Sequence, residues 1–265
     1  MRIATQETRR SWAVLSVLTC SASIVMVTGC AAKPRYANVE VLASIRELAP
    51  GDAWTLEAAA YRATYDALAA NDSTRVVVTP ISDNSLSEVP LLDAVSPHEG
   101  LFGMNERDAR LRRTALTALA NAALSELGQR TTGRGRTEII NAIFGAANRF
   151  ESVTKGARNL LVILSSGFEQ SSILNMADYR LTLNSNATLG RVLEHLKATG
   201  QVVDLRGTDV CMIGITSGDG HWADFNRSRG VRRFWQRYFA DSGANLVGYG
   251  TDIQSCRALA NEVGS

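Results

Sequence analysis

The 265-residue sequence predicts an α/β fold, a doubly wound, mostly parallel sheet flanked by helices. Three observations lead there. From residue 39 onward, short β-branched and aliphatic runs alternate with stretches of helical period. The run Asn159-Leu160-Leu161-Val162-Ile163-Leu164 shows no polar alternation, as expected of a strand covered on both faces. Only five prolines occur, with no internal repeat or low-complexity linker, so the roughly 235 residues after the leader fit one domain.

The elements follow in order. Val39–Ala43 is a short strand, and Trp54–Ala70 a helix with Ala, Leu and Tyr on its buried side. Arg75–Ile81 is a buried β-branched strand. A loop with Pro90, Pro97, Gly100 and Gly103 comes next; its length implies a function or small strands of its own. Asn105 caps the clearest helix, with Asp108 in its first turn, Leu116, Leu119, Ala123 and Leu127 facing inward, and Gly128 ending it. After the Gly- and Arg-rich stretch Thr131–Arg136, Thr137 opens a helix over Glu138–Phe150, with Ile139, Ile140, Ile143, Phe144 and Ala147 inward. Then come the strand Arg158–Ser165, a helix Leu189–Ala198, a strand Asp209–Thr216, a helix Arg229–Ala240 and a last strand Asn245–Tyr249.

The first 29 residues read as an export leader. Arg2, Arg9 and Arg10 stand against a single Glu7, and an apolar run from Trp12 to Val27 follows, interrupted only by small residues. The run ends in Val27-Thr28-Gly29-Cys30, which is similar to a bacterial lipobox. That resemblance implies a lipoprotein: residues 1–29 are a signal peptide, Cys30 carries the lipid, and 30–38 form a lipidated tether before the domain 39–265. Ala31, where an inner-membrane sorting aspartate would stand, leans the expectation toward an outer membrane, with the protein facing the periplasm. Fully extended, the tether reaches about 25–30 Å. No later stretch of about 18 apolar residues offers a second span.

Removing the leader removes the apparent basic character. The chain holds 28 Lys+Arg and 26 Asp+Glu; the leader takes three arginines and one glutamate, leaving 25 of each. A neutral chain in that compartment gives no reason to expect nucleic acid as a partner. Of four cysteines, Cys211 and Cys256 remain once Cys20 and Cys30 are set aside. They form either one disulfide, in keeping with an oxidising compartment, or two buried thiols.

Ligand sites of doubly wound sheets lie at the carboxyl ends of the strands. The residues expected there are Ser44 and Arg46, then Asp83 with Ser82 and Asn84, then Ser165 and Ser166, then Asp219 with Ser217 and His221, with Thr137 at a helix start facing the same way. Thr137-Glu138-Ile139-Ile140 and the strand ending in Ser165-Ser166-Gly167 resemble a von Willebrand factor A-type domain, a Rossmann-like fold, over roughly residues 39–250. The resemblance implies a protein-binding module with a metal-ion-dependent adhesion site. The family takes ligands from a D-x-S-x-S loop, a threonine and an S-D-G aspartate. Here Thr137 matches, Ser166 replaces the aspartate, and Ala43-Ser44-Ile45-Arg46-Glu47 replaces the first loop. Hydroxyls alone do not offset the dehydration of Mg²⁺, and Arg46 repels it. The expectation is an A-type fold whose metal site has decayed, with no cofactor.

The leading expectation is therefore a lipid-anchored, non-enzymatic module docking an envelope or secretion-apparatus protein. Two alternatives stand beside it. Asp83, Asp219 and His221 would serve an envelope hydrolase if they met in one pocket, although Asp83 and Asn84 also suit a plain turn. Arg229, Arg232, Arg233 and Arg237, on the helix whose apolar face is Val231, Phe234, Trp235, Tyr238 and Phe239, would hold anionic lipid or an envelope polymer; the same pattern fits a core helix with a solvated basic face.

Overall fold

Aliphatic and β-branched runs form six strands: β1 (Asn38–Ala43), β2 (Arg75–Pro80), β3 (Leu92–Val95), β4 (Asn159–Leu164), β5 (Thr208–Ile213) and β6 (Asn245–Gly250). They make one sheet in the order β3-β2-β1-β4-β5-β6, parallel except for β3. Among the described residues, four α-helices accompany these six strands: α1 (Glu106–Gln129), α2 (Ile139–Val153), α3 (Asn186–Ala198) and α4 (Phe225–Asp241). This computed structural model describes residues 37–44, 74–95, 105–129, 136–153, 158–214 and 225–250. The chain divides into Met1–Ala32 and Lys33–Ser265, and every described residue belongs to the second unit. The expected helix Trp54–Ala70 lies outside the described residues, as do Cys30, Arg46, Asp219, His221 and Cys256.

The doubly wound class is what the sequence predicts. β1, β4 and β5 are buried at all six positions, the reason their sequences carry no alternation. Their side chains divide between two cores. Leu42, Leu161, Ile163, Val210 and Met212 meet Ile139, Ile140 and Ile143 of α2, Leu189, Leu193 and Leu196 of α3, and the aromatic face of α4. On the opposite face Val39, Val41, Val78, Leu160, Val162 and Leu164 meet Ala123, Leu124 and Leu127 of α1.

Several boundaries move for physical reasons. The long loop after β2 contains β3, whose four residues pair antiparallel with β2, with the Arg75 guanidinium bonded to both carboxylate oxygens of Asp93. α1 begins as expected, with Asn105 Oδ1 accepting from Asp108 N (2.9 Å). Its buried stripe is Ala109, Leu116, Ala120, Ala123, Leu124 and Leu127, whereas Leu119 is 55% exposed. At about 100° per residue, Leu119 turns away from that stripe, so its inward assignment is corrected. α3 starts a turn before Leu189 because Ser185 caps it, its Oγ accepting from Thr188 N. In α4 the face Val231, Phe234, Trp235, Tyr238 and Phe239 is fully buried, as its spacing predicts.

Candidate functional site

Strand order reverses between β1 and β4: the chain leaves β1 toward β2 on one side and reaches β4 on the other. That switch point is where a doubly wound sheet opens a crevice at its carboxyl edge. Ser44 and Ser165 follow directly on the paired residues Ala43 and Leu164. Ser44 N donates to Leu164 O (2.7 Å), and Ser165 N to Ile213 O (3.0 Å), so both continue the ladder beyond their strands. Both side chains are buried, and Ser166 is half-buried.

The turn after β4 is tightly held. Gly167 adopts a φ of 82°, and its N–H donates to Ser165 Oγ (3.3 Å). A side chain at that φ is strained, which explains the glycine. Gly167 O accepts from Trp235 Nε1 (2.7 Å), fastening the turn to the buried face of α4. From the other side Gln170 N donates to Thr137 O (2.9 Å), and Glu138 N donates to Ser82 O (3.0 Å). The β4 turn, the start of α2 and the β2 turn are thus one bonded unit. Thr137 is buried at its centre.

Glu169 is the residue that pattern reading did not single out. Its side chain is fully buried. Oε2 accepts from Ile140 N (2.9 Å), and the Ile139 N–H also bonds the carboxylate, so Glu169 fills the N-terminus of α2. Among the described residues Oε1 has no hydrogen-bond partner. Burial pushes the carboxyl pKa up to about 8, and the negative charge of Glu138 adds to that; the Ser171 hydroxyl and the two N–H groups oppose it. The N-terminus of a helix attracts anions. Here the chain supplies that anion-like group itself, from a residue 29 positions away.

The described donors at this edge are poor in the ligands that magnesium takes. A divalent cation needs several hard oxygen ligands at octahedral positions. Ser44, Thr137, Ser165 and Ser166 are neutral, and the buried Glu169 carboxyl faces the positive end of a helix, which repels a cation. Among the described residues no group of three or more His, Cys, Asp or Glu is placed to share a metal.

The edge also presents apolar surface. Beyond β2, Asp83 stands exposed at the turn, and Leu86 and Val89 are 58% and 75% exposed. The intervening Ser85 is buried, its Oγ donating to Ser82 O (3.1 Å), so the turn is rigid while its leucine and valine face outward. The arginines of α4 are engaged within the fold. Arg233 donates to Asn184 O and Asn186 Oδ1, Arg232 lies over the Tyr249 ring, and Arg237 pairs with Asp241. Cys211 is buried and disulfide-bonded; its partner is a cysteine outside the described residues. No described helix is long and apolar enough to cross a membrane.

No family model matches the sequence, and no curated protein matches it. Among solved structures, the chain is similar to the pilus adhesin SpaC of Lactobacillus rhamnosus GG at 12% identity and a TM-score of 0.49, over 87% of this chain and 30% of that one. It is also similar to a von Willebrand factor type A protein of Catenulispora acidiphila at 12% identity and a TM-score of 0.34, over 79% of this chain and 43% of that one. A human COPII-coat protein is similar at 11% identity and a TM-score of 0.37, over 87% of this chain and 32% of that one. The chain thus spans less than half the length of each, and likenesses this distant assign no function.

Proposed function

We propose that this chain is a lipid-anchored cell-envelope protein whose α/β domain docks another envelope or secretion-apparatus protein through its strand-end edge, without catalysis and without a bound metal. One observation carries the reading: Glu169 fills the helix N-terminus at the switch point, where folds of this class receive anionic ligands and cofactors. A crevice closed by its own carboxyl group suits neither a phosphate nor a metal. The same edge carries Leu86 and Val89 exposed on a rigid turn, a small apolar centre of the kind that seats a protein partner. The Val27-Thr28-Gly29-Cys30 sequence supports the anchor, and Ala31 an outer-membrane destination facing the periplasm. Ser44, Thr137, Ser165 and Ser166 act in this reading as the frame that holds the edge, with Asp83 on its polar rim.

Photo-crosslinking in intact cells from position 86 or 89 tests the docking. The expected result is one defined adduct, lost when Leu86→Asp and Val89→Asp are combined. The same yield from both proteins, or no adduct under any growth condition, overturns it. Mass analysis of the N-terminal peptide tests the anchor separately: Cys30 carries acyl chains, and Cys30→Ala releases the protein from the membrane fraction.

A further inference from the structure

α1 is apolar on two faces. Its inner stripe packs on the sheet, while Leu111, Ala115, Ala118, Leu119 and Ala122 line the outer face; all five are exposed, Leu111 by 60% and Leu119 by 55%. At about 100° per residue these five fall within roughly a third of the helix circumference, almost opposite the buried stripe. Arg107 lies along the same face, and Arg110 and Arg112 straddle Leu111 on either side; all three are exposed. In sequence, residues 106–113 hold four arginines against Glu106 and Asp108, and the latter is bonded to Asn105 at the cap.

The place of this segment in the fold matters as much as its composition. Leu116 packs on Val76 near the start of β2, while Ala123, Leu124 and Leu127 belong to the core around Val78, further along it. α1 therefore runs parallel to β2, and its first turns lie toward the edge where the parallel strands begin, with Ala109 buried on their inner side. The chain enters β1 at that same edge: Ala37 N donates to Arg158 O (2.9 Å), and Arg75 N to Ala37 O (2.9 Å). Six residues separate Ala37 from Cys30, at most about 25 Å of chain.

We propose that the outer face of α1 is a membrane contact: Arg107 and Arg112 bind anionic lipid headgroups while Leu111 and the alanine stripe rest in the interface. This inference rests on the proposed lipid anchor at Cys30. Charge and size both select a bilayer. The arginine excess lies at the N-terminal end of the apolar stripe, and with Asp108 and Glu126 on the same face the positive charge is concentrated in the first two turns, where it would meet an anionic membrane. The stripe exposes only a few hundred Å². A stable protein pair or a second copy needs about 800 Å² from each side. A patch that small is effective when a tether already holds its partner within reach, because the second contact is then intramolecular. Docking there orients the domain, since the first turns of α1 and Ala37 share one edge and the Leu86–Val89 turn lies at the other.

The test uses the full chain produced with its leader, purified from membranes and placed in lipid nanodiscs. An environment-sensitive fluorophore is attached at Leu111→Cys in one preparation and at Asp83→Cys in another. The inference expects a blue shift at position 111 in phosphatidylglycerol discs, none in phosphatidylcholine discs, and none at position 83 in either. Removing Arg107 and Arg112 as glutamines weakens the docked fraction by roughly fivefold per arginine, and added salt does the same. A shift of equal size in zwitterionic discs, a shift that survives the arginine substitutions, a shift that appears only with two copies per disc, or no shift overturns the proposal. The mass of the N-terminal peptide is read on the same sample. An unacylated Cys30 with a lipid-dependent shift sinks the anchor and keeps the α1 contact; an acylated Cys30 without the shift does the reverse.

Discussion

Glu169 keeps its proton into the neutral range because burial outweighs the N–H groups that its carboxylate caps. Its pKa is higher folded than unfolded, so the folded state binds the proton more tightly. Stability is therefore fully present at acid pH, falls as pH rises from about 4.5, and levels off above about 8. Glu169→Gln removes that slope. Denaturant midpoints should favour the variant at pH 9, by up to a few kcal/mol, and converge with the parent near pH 5. Glu40 makes the complementary case. It is buried on β1, bonded to Arg149 of α2 and to Thr79 Oγ1 (3.1 Å), and its pKa is raised because burial exceeds the pull of Arg149. Arg149→Met strands that carboxylate and should cost about 3–5 kcal/mol. Glu40 can regain a proton, so the loss should be smaller at pH 4 than at pH 8, measured as unfolding free energy. Neither residue was legible as special in the sequence. Glu169 bonds N–H groups 29 residues upstream and Glu40 an arginine 109 residues downstream. No local pattern encodes such separations, whereas Thr137 and Ser165 were legible from the helix start and strand end beside them.

Element by element, period and capping carried the reading. The buried faces of α2 and α4 follow their 3.6-residue spacing, and Asn105 stands where its type predicts a cap. β3 was not legible, since four residues with exposed alternate positions become a strand only by pairing with β2. Leu119 was misread because α1 has apolar residues on both sides, and composition cannot say which stripe meets the sheet. α3 and α4 end alike. Gln201 N donates to Leu196 O and Gly200 N to Lys197 O; Ala244 N donates to Phe239 O and Gly243 N to Ala240 O. Both ends are Schellman motifs with a left-handed glycine, at φ 71° and 74°. Their surroundings differ: a Cβ at Gly200 meets nothing within 4 Å, while one at Gly243 falls 2.7 Å from Arg206 Cγ. Gly200→Ala should cost about 1 kcal/mol from backbone strain, and Gly243→Ala more, read as a lower thermal midpoint.

At the scale of the molecule, strand–helix alternation predicted a parallel sheet, yet strand order is a three-dimensional outcome that periodicity does not contain. The disulfide is similar: composition left Cys211 and Cys256 open between a bridge and two thiols, and Cys211 is bonded. We expect Cys256 as its partner, seen as a linked peptide pair under non-reducing conditions. Cys256→Ser should then lower stability by about 2–5 kcal/mol. The order also places β1, the first strand after the proposed anchor, in the interior of the sheet, paired over six residues with β2 on one side and six with β4 on the other. If the far edge grips a partner while Cys30 is held in lipid, tension enters the domain along the axis of β1. Such a pull shears two ladders at once instead of unzipping one bond at a time. Force spectroscopy from residue 37 against the strand-end turn should show one high rupture event, and pulling from β6, which among the described residues pairs on one side, a lower one. Under the proposed anchor, the position of one strand would make the domain a mechanical fastening between a membrane and whatever it holds.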